Sequence, residues 1–137
     1  MATTERGLER EQAGQSLAEL SIVLVLFLVL LFGIVDAGRL IFAYNAVSAG
    51  AREGVRWAVV RGATSPLGTA TKDDIKAFVQ NSTVGTTVDV DATWTPDSLP
   101  GSTVAVTVTS PFSPIAPFPM VPKTLTLSST SSMVISR

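Results

Sequence analysis

The sequence contains no cysteine and no histidine. The first absence removes disulfides, thiolate metal sites and thiol catalysis. The second removes imidazole as base, proton shuttle or ligand. Charge is also scarce. Charged residues make up 15% of the 137 residues, against 46% hydrophobic, and the formal net charge is −1. That balance gives no electrostatic case for nucleic-acid binding. Proline is absent from the whole first part of the chain, since all eight prolines lie at or after position 66. With serine and threonine plentiful but no histidine to activate them, no nucleophile, base and orienting group assemble, so no catalytic residue, cofactor site or metal site is assigned.

What is present is an apolar run. Residues 20–35 read LSIVLVLFLVLLFGIV, sixteen residues with no charge and one hydroxyl, Ser21. As a helix they cover about 24 Å. A bilayer core about 30 Å thick needs about 20 residues. Extending the count upstream supplies the missing turn and places Glu19 near its start, so the span is expected at about 17–35. With no proline before position 66, one helix is expected over 15–61, membrane-embedded first and amphipathic over 36–61. Its second half has an apolar face through Leu40, Tyr44, Val47, Ala51, Val55 and Ala58. Asn45, Ser48, Arg52 and Arg56 form a polar ridge beside it. Ala46, Gly50, Gly54 and Ala58 form a row of small residues that would let another backbone approach closely, either a neighbouring helix or the chain's own C-terminal domain.

Residues 62–137 read differently. Thr71 to Asp74 has the pattern of a capping box, with Ile75, Phe78 and Val79 following at helical spacing, which predicts a helix over 71–81. Alternation then predicts strands. Val88, Val90, Ala92 and Trp94 define one, Val104, Val106 and Val108 a second, and a third starts near Thr124 and runs towards Met133 and Ile135. Residues 95–102, TPDSLPGS, have turn chemistry. The segment 111–122 holds five prolines. Polyproline periodicity puts Phe112, Ile115 and Phe118 on one face, expected to pack on the sheet as a strap rather than to serve as a ligand for an aromatic-lined groove.

Three smaller groups carry charge. Asp36 and Arg39 are three residues apart, at pairing distance along a helix, and read as the boundary of the span. Residues 39–61 carry four arginines against Glu53, and residues 62–137 carry four basic and five acidic groups. A basic helix docking on a mildly acidic sheet, within or between subunits, is one expectation; a solvated face of Arg52, Glu53 and Arg56 is the default. Asp89 and Asp91 share a strand face and offer oxygen ligands to a hard cation, although such faces are more often solvated.

The N-terminus admits three readings. One is a secretory signal cleaved near Val35-Asp36-Ala37. The second is an uncleaved anchor. The third uses Gly14 and Glu19: a short polar leader ends in Gly14, Gln15 follows, and Glu19 stands fifth after the glycine, immediately before the apolar run. This resembles the processing site of type IV prepilins. The larger pattern, GQSLAEL, the apolar run, Asp36-Ala37-Gly38-Arg39, and the helix Ala51-Arg52-Glu53-Gly54-Val55-Arg56-Trp57-Ala58, resembles the TadE-like family of tight-adherence (Flp-type) pilus systems. Leu20 stands where that family often has an aromatic residue, and Val55 where it often has alanine.

The resemblance implies an α+β, pilin-like fold. A leader over 1–14, the long helix over 15–61 and an extracytoplasmic domain over 62–137 would carry a short helix and a three-stranded antiparallel sheet. It implies a non-enzymatic minor pilin or pseudopilin, single-pass in the cytoplasmic membrane, cut between Gly14 and Gln15 by a prepilin peptidase. Glu19 would be the carboxylate that meets the new N-terminal amine during assembly. A buried carboxylate in a span costs about 2.5–3.5 kcal/mol near the bilayer centre, so a partner charge is expected. Asp36, Arg39, Gly50, Gly54, Arg52, Glu53 and Arg56 are the helix-exit and packing candidates. Implied partners are membrane lipid, the major pilin, sister TadE/TadF-like subunits and the assembly platform. A signal-anchored or secreted binding module unrelated to pili is the alternative.

Overall fold

The structure is a computed structural model that describes residues 2–115 and 123–136, with side chains from Gly14 onward. Five elements follow in order: α1 (Ala2–Val59), α2 (Lys72–Ser82), β1 (Asp89–Thr95), β2 (Thr103–Phe112) and β3 (Leu125–Val134). The α+β arrangement is the one expected. The 58 residues of α1 correspond to about 87 Å of helix. It starts well before residue 15, because residues 2–13 are rich in Glu, Arg, Gln, Leu and Ala, all good helix formers.

The capping box on α2 is formed in full. The Thr71 hydroxyl accepts from the Asp74 amide, and the Asp74 carboxylate accepts from the Thr71 amide. Asp73 and Asp74 also place negative charge at the positive end of the helix. Ile75 and Val79 are its buried face.

The sheet has the order β1-β2-β3, antiparallel throughout. Alternation is strict in β2, where Val104, Val106, Val108, Ser110 and Phe112 are buried. Pro111 occupies a strand position opposite Thr126. It is tolerated because pairing with β1 stops at Thr109, so that end of β2 has one free side. The tight link between β1 and β2 is organised by Asp97, whose Oδ1 accepts from the Leu99 amide at 2.9 Å and the Ser102 hydroxyl at 2.5 Å. Gly101, with φ +95°, takes a conformation that side chains disfavour.

The two helices cover one face of the sheet. Val47 and Val55 of α1, Ile75 and Val79 of α2, and Val104, Val106 and Val108 of β2 are fully buried. The apolar face of α1 differs from the expected one. Tyr44 is exposed and Leu40 half-buried, while Ala43, Gly50 and Gly54 are buried. The seam runs through small residues because α1 lies too close to its neighbours for a tyrosine to fit between. The other face of the sheet is rich in hydroxyls: Thr93, Thr103, Thr107, Thr109, Thr126, Ser128, Thr130 and Ser132 lie on the side opposite the buried valines, with Asp89 and Asp91 on the β1 edge.

The expected strap is only partly observable. Residues 116–122, including Pro117 and Phe118, lie outside the described residues. Where it is described, the expected shared face does not form. Phe112 is the last residue of β2 and is buried, whereas Ile115 is exposed. Strand pairing with Leu125 extends β2 into what composition alone assigns to polyproline.

Candidate functional site

The chain offers three surfaces along one helix: a bare apolar rod, a charged clasp where the rod meets the domain, and a ridge on the clamped upper part. The rod is the stretch around residues 17–35. Its large apolar side chains, from Leu17 to Val35, are all exposed, so nothing among the described residues covers them. Among the described residues this is the one helix long and apolar enough to cross a membrane. Ser21 donates its hydroxyl to the Leu17 carbonyl at 2.7 Å, which satisfies the hydroxyl inside the helix. Glu19 is exposed on the rod. Gly14 and Gln15 are exposed as well, and a Cβ on Gly14 would meet nothing within 4 Å. Gly14 therefore answers no packing need, although glycine inside a helix costs about 1 kcal/mol relative to alanine.

The clasp is built on Asp36. Arg39 Nη1 donates to Asp36 Oδ1 at 2.8 Å, as the three-residue spacing predicts. The carboxylate is not an exposed boundary marker, however. It is buried, and it accepts the backbone amide of Ile115 at 2.8 Å and 3.0 Å. Arg39 reaches further, donating to the Ser113 carbonyl at 3.5 Å and lying 5.3 Å above the Phe112 ring. Asp36 and Arg39 thus fasten the end of β2 to the helix. The sequence signal for Asp36 and Arg39 was visible. The backbone partner was not, because an amide carries no residue-specific signature.

Higher on α1 the small-residue row faces inward. A Cβ on Gly54 would lie 2.8 Å from Val79 Cγ2 and 3.1 Å from Val106 Cγ1. On Gly50 it would lie 3.1 Å from Thr83 Oγ1 and 3.2 Å from Val79 Cγ1. Of the two uses open to this row, Gly50 and Gly54 serve the chain's own domain.

The outward ridge carries Arg52, Glu53 and Arg56, all exposed and, among the described residues, in no salt bridge. Within the chain α1 does lie on the sheet, but through its buried apolar face and not through these charges. Asp91 and Asp89 are instead bridged to Lys72 and Lys76 of α2, at 2.9 Å and 2.7 Å. Each lysine holds its aspartate carboxyl below the usual range. The same pairing occupies the two carboxylates that offered oxygen ligands to a hard cation, and among the described residues no cluster of three or more metal-ligating side chains occurs. Sequence reasoning also missed the end of the ridge, where Trp57 stacks on Phe78 with centroids 5.4 Å apart and Arg61 lies 4.0 Å over the Trp57 ring. The four-residue step from Trp57 to Arg61 was the available signal.

No curated protein and no solved structure matches the chain. One family model does, over residues 14–56, from the exposed Gly14 through the rod and the Asp36–Arg39 clasp to Arg56: it is described as TadE-like protein, the family that the sequence motifs resemble, and this segment is similar to it.

Proposed function

We propose that this chain is a non-enzymatic minor pilin or pseudopilin of a tight-adherence (Flp-type) pilus assembly system. It is held in the cytoplasmic membrane by the rod, with the domain on the extracytoplasmic side. A prepilin peptidase cuts between Gly14 and Gln15, and the mature helix joins others through the bare apolar surface. Glu19 neutralises the N-terminal amine of its own or a neighbouring chain. The major pilin, sister TadE/TadF-like subunits and the assembly platform are its partners, and the subunit enters the filament or primes it.

The observation that carries this reading is the contrast along α1. Its upper part is sealed against the domain, while residues 17–35 are exposed on every side and carry one carboxylate, Glu19, at their start. Such a rod needs lipid or other rods around it. Gly14 has open space around it and no positive φ, which is consistent with a glycine kept for processing.

Mass spectrometry of the membrane-extracted protein tests the reading. A mature N-terminus at Gln15 is expected. One at Gly38 replaces it with a secreted module, and an intact Met1 with a plain anchor. A Glu19→Ala variant that reaches the membrane in normal amount is expected to lose co-purification with other pilins. Unchanged co-purification removes Glu19 from the docking role.

A further inference from the structure

We infer that the domain touches the bilayer at a second point: Ile115 sits in the lipid headgroup layer where α1 leaves the membrane, with Ile41 and Phe42 of α1 at the outer edge of that layer. The inference rests on reading residues 17–35 as the span. Asp36 is the first charged residue after the apolar run, which fixes it at the exit. The Ile115 amide lies 2.8 Å from the Asp36 carboxylate, so Ile115 is at the same height. Its side chain is nevertheless 57% exposed.

Ile41 and Phe42 follow Asp36 by five and six residues and are 62% and 58% exposed. At the helical rise they stand about 8 and 9 Å above it. The headgroup layer takes up the difference between about 40–45 Å of whole bilayer and about 30 Å of core, so about 5–8 Å per leaflet. Ile115 falls inside that layer and the other two at its outer edge. Apolar side chains gain there what they lose in water.

Two more features sit at this level. An open cleft of about 490 Å³ is lined by Val35, Gly38, Arg39, Phe42, Pro111 and Phe112, and Val35 is the last residue of the apolar run, so the cleft opens onto the bilayer. The Arg39 side chain is 45% exposed beside the buried Asp36, with its charge at the height of lipid phosphates and its stem along Phe112, the arrangement that long cationic side chains adopt at a membrane surface. Lipid is therefore the occupant: the patch continues the exposed apolar surface of residues 17–35, which lipid covers if that stretch is the span. At the opposite end of the domain Leu99 is also exposed. It belongs to the turn whose Ser102 carbonyl accepts the Ile135 amide, and the next residue, Ser136, donates its amide to the Val59 carbonyl at the end of α1, about 34 Å beyond Asp36.

Because the chain has no cysteine, single-cysteine variants can be labelled cleanly. Ile115→Cys keeps the backbone amide that binds Asp36. The full chain is reconstituted in phosphatidylcholine–phosphatidylglycerol vesicles with an environment-sensitive fluorophore at position 115, 42, 28 or 99. Lipids spin-labelled at the headgroup or mid-chain quench from the membrane side, and iodide quenches from water. Headgroup-labelled lipid is expected to quench positions 115 and 42 at least threefold more than position 99, with iodide ranking them the other way. Position 28 reports the span itself through the mid-chain label. If 28 is quenched by lipid while 115 and 42 remain as open to iodide as 99, the second contact is wrong and the span stands. Shielding of 115 from both quenchers means that protein covers it, which also overturns the inference. If 28 escapes lipid quenching, the span reading itself fails.

Discussion

Asp36 accepts the amide of Ile115 with both carboxylate oxygens, at 2.8 Å and 3.0 Å, joining residues 79 apart in sequence. This contact turns a helix exit into a clasp, because the carboxylate is buried and its bonds hold the chain just past β2 against α1. In Asp36→Ala the Ile115 amide loses its acceptor, and the domain is expected to lose about 1–3 kcal/mol. Asp36→Asn keeps one carbonyl acceptor and should lose less. Hydrogen–deuterium exchange in detergent checks this locally: the peptide containing 113–115 should exchange faster in Asp36→Ala while the Val104–Val108 core stays protected. Unchanged exchange at 115 would show that the amide is held by something else.

The two glycines of α1 that differ most in surroundings make a matched pair. Gly54→Ala pushes a methyl to 2.8 Å from Val79 and 3.1 Å from Val106, both fully buried. Overpacking of this kind costs about 1–3 kcal/mol. Gly38→Ala meets nothing within 4 Å, and the better helix propensity of alanine is expected to make it neutral or stabilising by up to about 1 kcal/mol. Thermal unfolding followed by circular dichroism distinguishes the two. A Gly54→Ala chain as stable as the parent would mean that α1 is not sealed on the sheet as described.

Periodicity made most of this fold legible. The capping residues of α2 and the alternation in β1 and β2 are local patterns, and the structure keeps them. The serine-rich middle of β3 dilutes its alternation, yet Leu127, Ser129 and Ser131 still turn inward opposite Ser110, Val108 and Val106, because register with a strictly alternating neighbour decides the matter. Tyr44 misled for a different reason. Apolar spacing counts tyrosine as core, but the α1 seam is narrow, and Ala43 occupies the buried position. For the site, Glu19, Asp36 and Arg39 stood out as charges around an apolar run. That Asp36 would bind a backbone amide, or that Lys72 and Lys76 would reach Asp91 and Asp89 before any arginine of α1 did, depends on how distant segments meet. No local pattern encodes that.

Four exposed carboxylates contribute to the pH response. Asp74 is held below the ordinary value of 3.8 by the Thr71 hydroxyl and amide, Asp89 by Lys76, Asp91 by Lys72, and Asp97 by the Ser102 hydroxyl and Leu99 amide. A carboxyl depressed on folding stabilises the native state above its unfolded value, and that contribution disappears as pH falls through the folded value. The Lys76 ammonium is raised above 10.5, chiefly by Asp89, so its share is present below that pH and lost above it. Unfolding temperature should therefore hold level from about pH 5 to 9 and fall below about pH 4. Because these pairs are exposed, 1 M salt should shrink the acid dependence. Asp89→Asn/Asp91→Asn should flatten it further. An acid limb of the same steepness in that double variant would place the pH response elsewhere.

The ridge separates stability from assembly. Arg52 and Arg56 are exposed and make no salt bridge among the described residues, so Arg52→Glu/Arg56→Glu removes no contact that the fold uses. Surface changes of this sort normally shift stability by no more than about 0.5 kcal/mol each. If these arginines steer the helix onto a neighbouring subunit, reversing two charges sets like against like, and recovery of partner pilins with the tagged chain should fall while its unfolding temperature and membrane amount stay the same. Low salt should sharpen the difference and high salt blunt it, because exposed charges act over about 10 Å at 0.1 M and less above that. Equal recovery from parent and variant at low salt would make the ridge a solvated face, leaving the apolar rod and Glu19 to direct assembly.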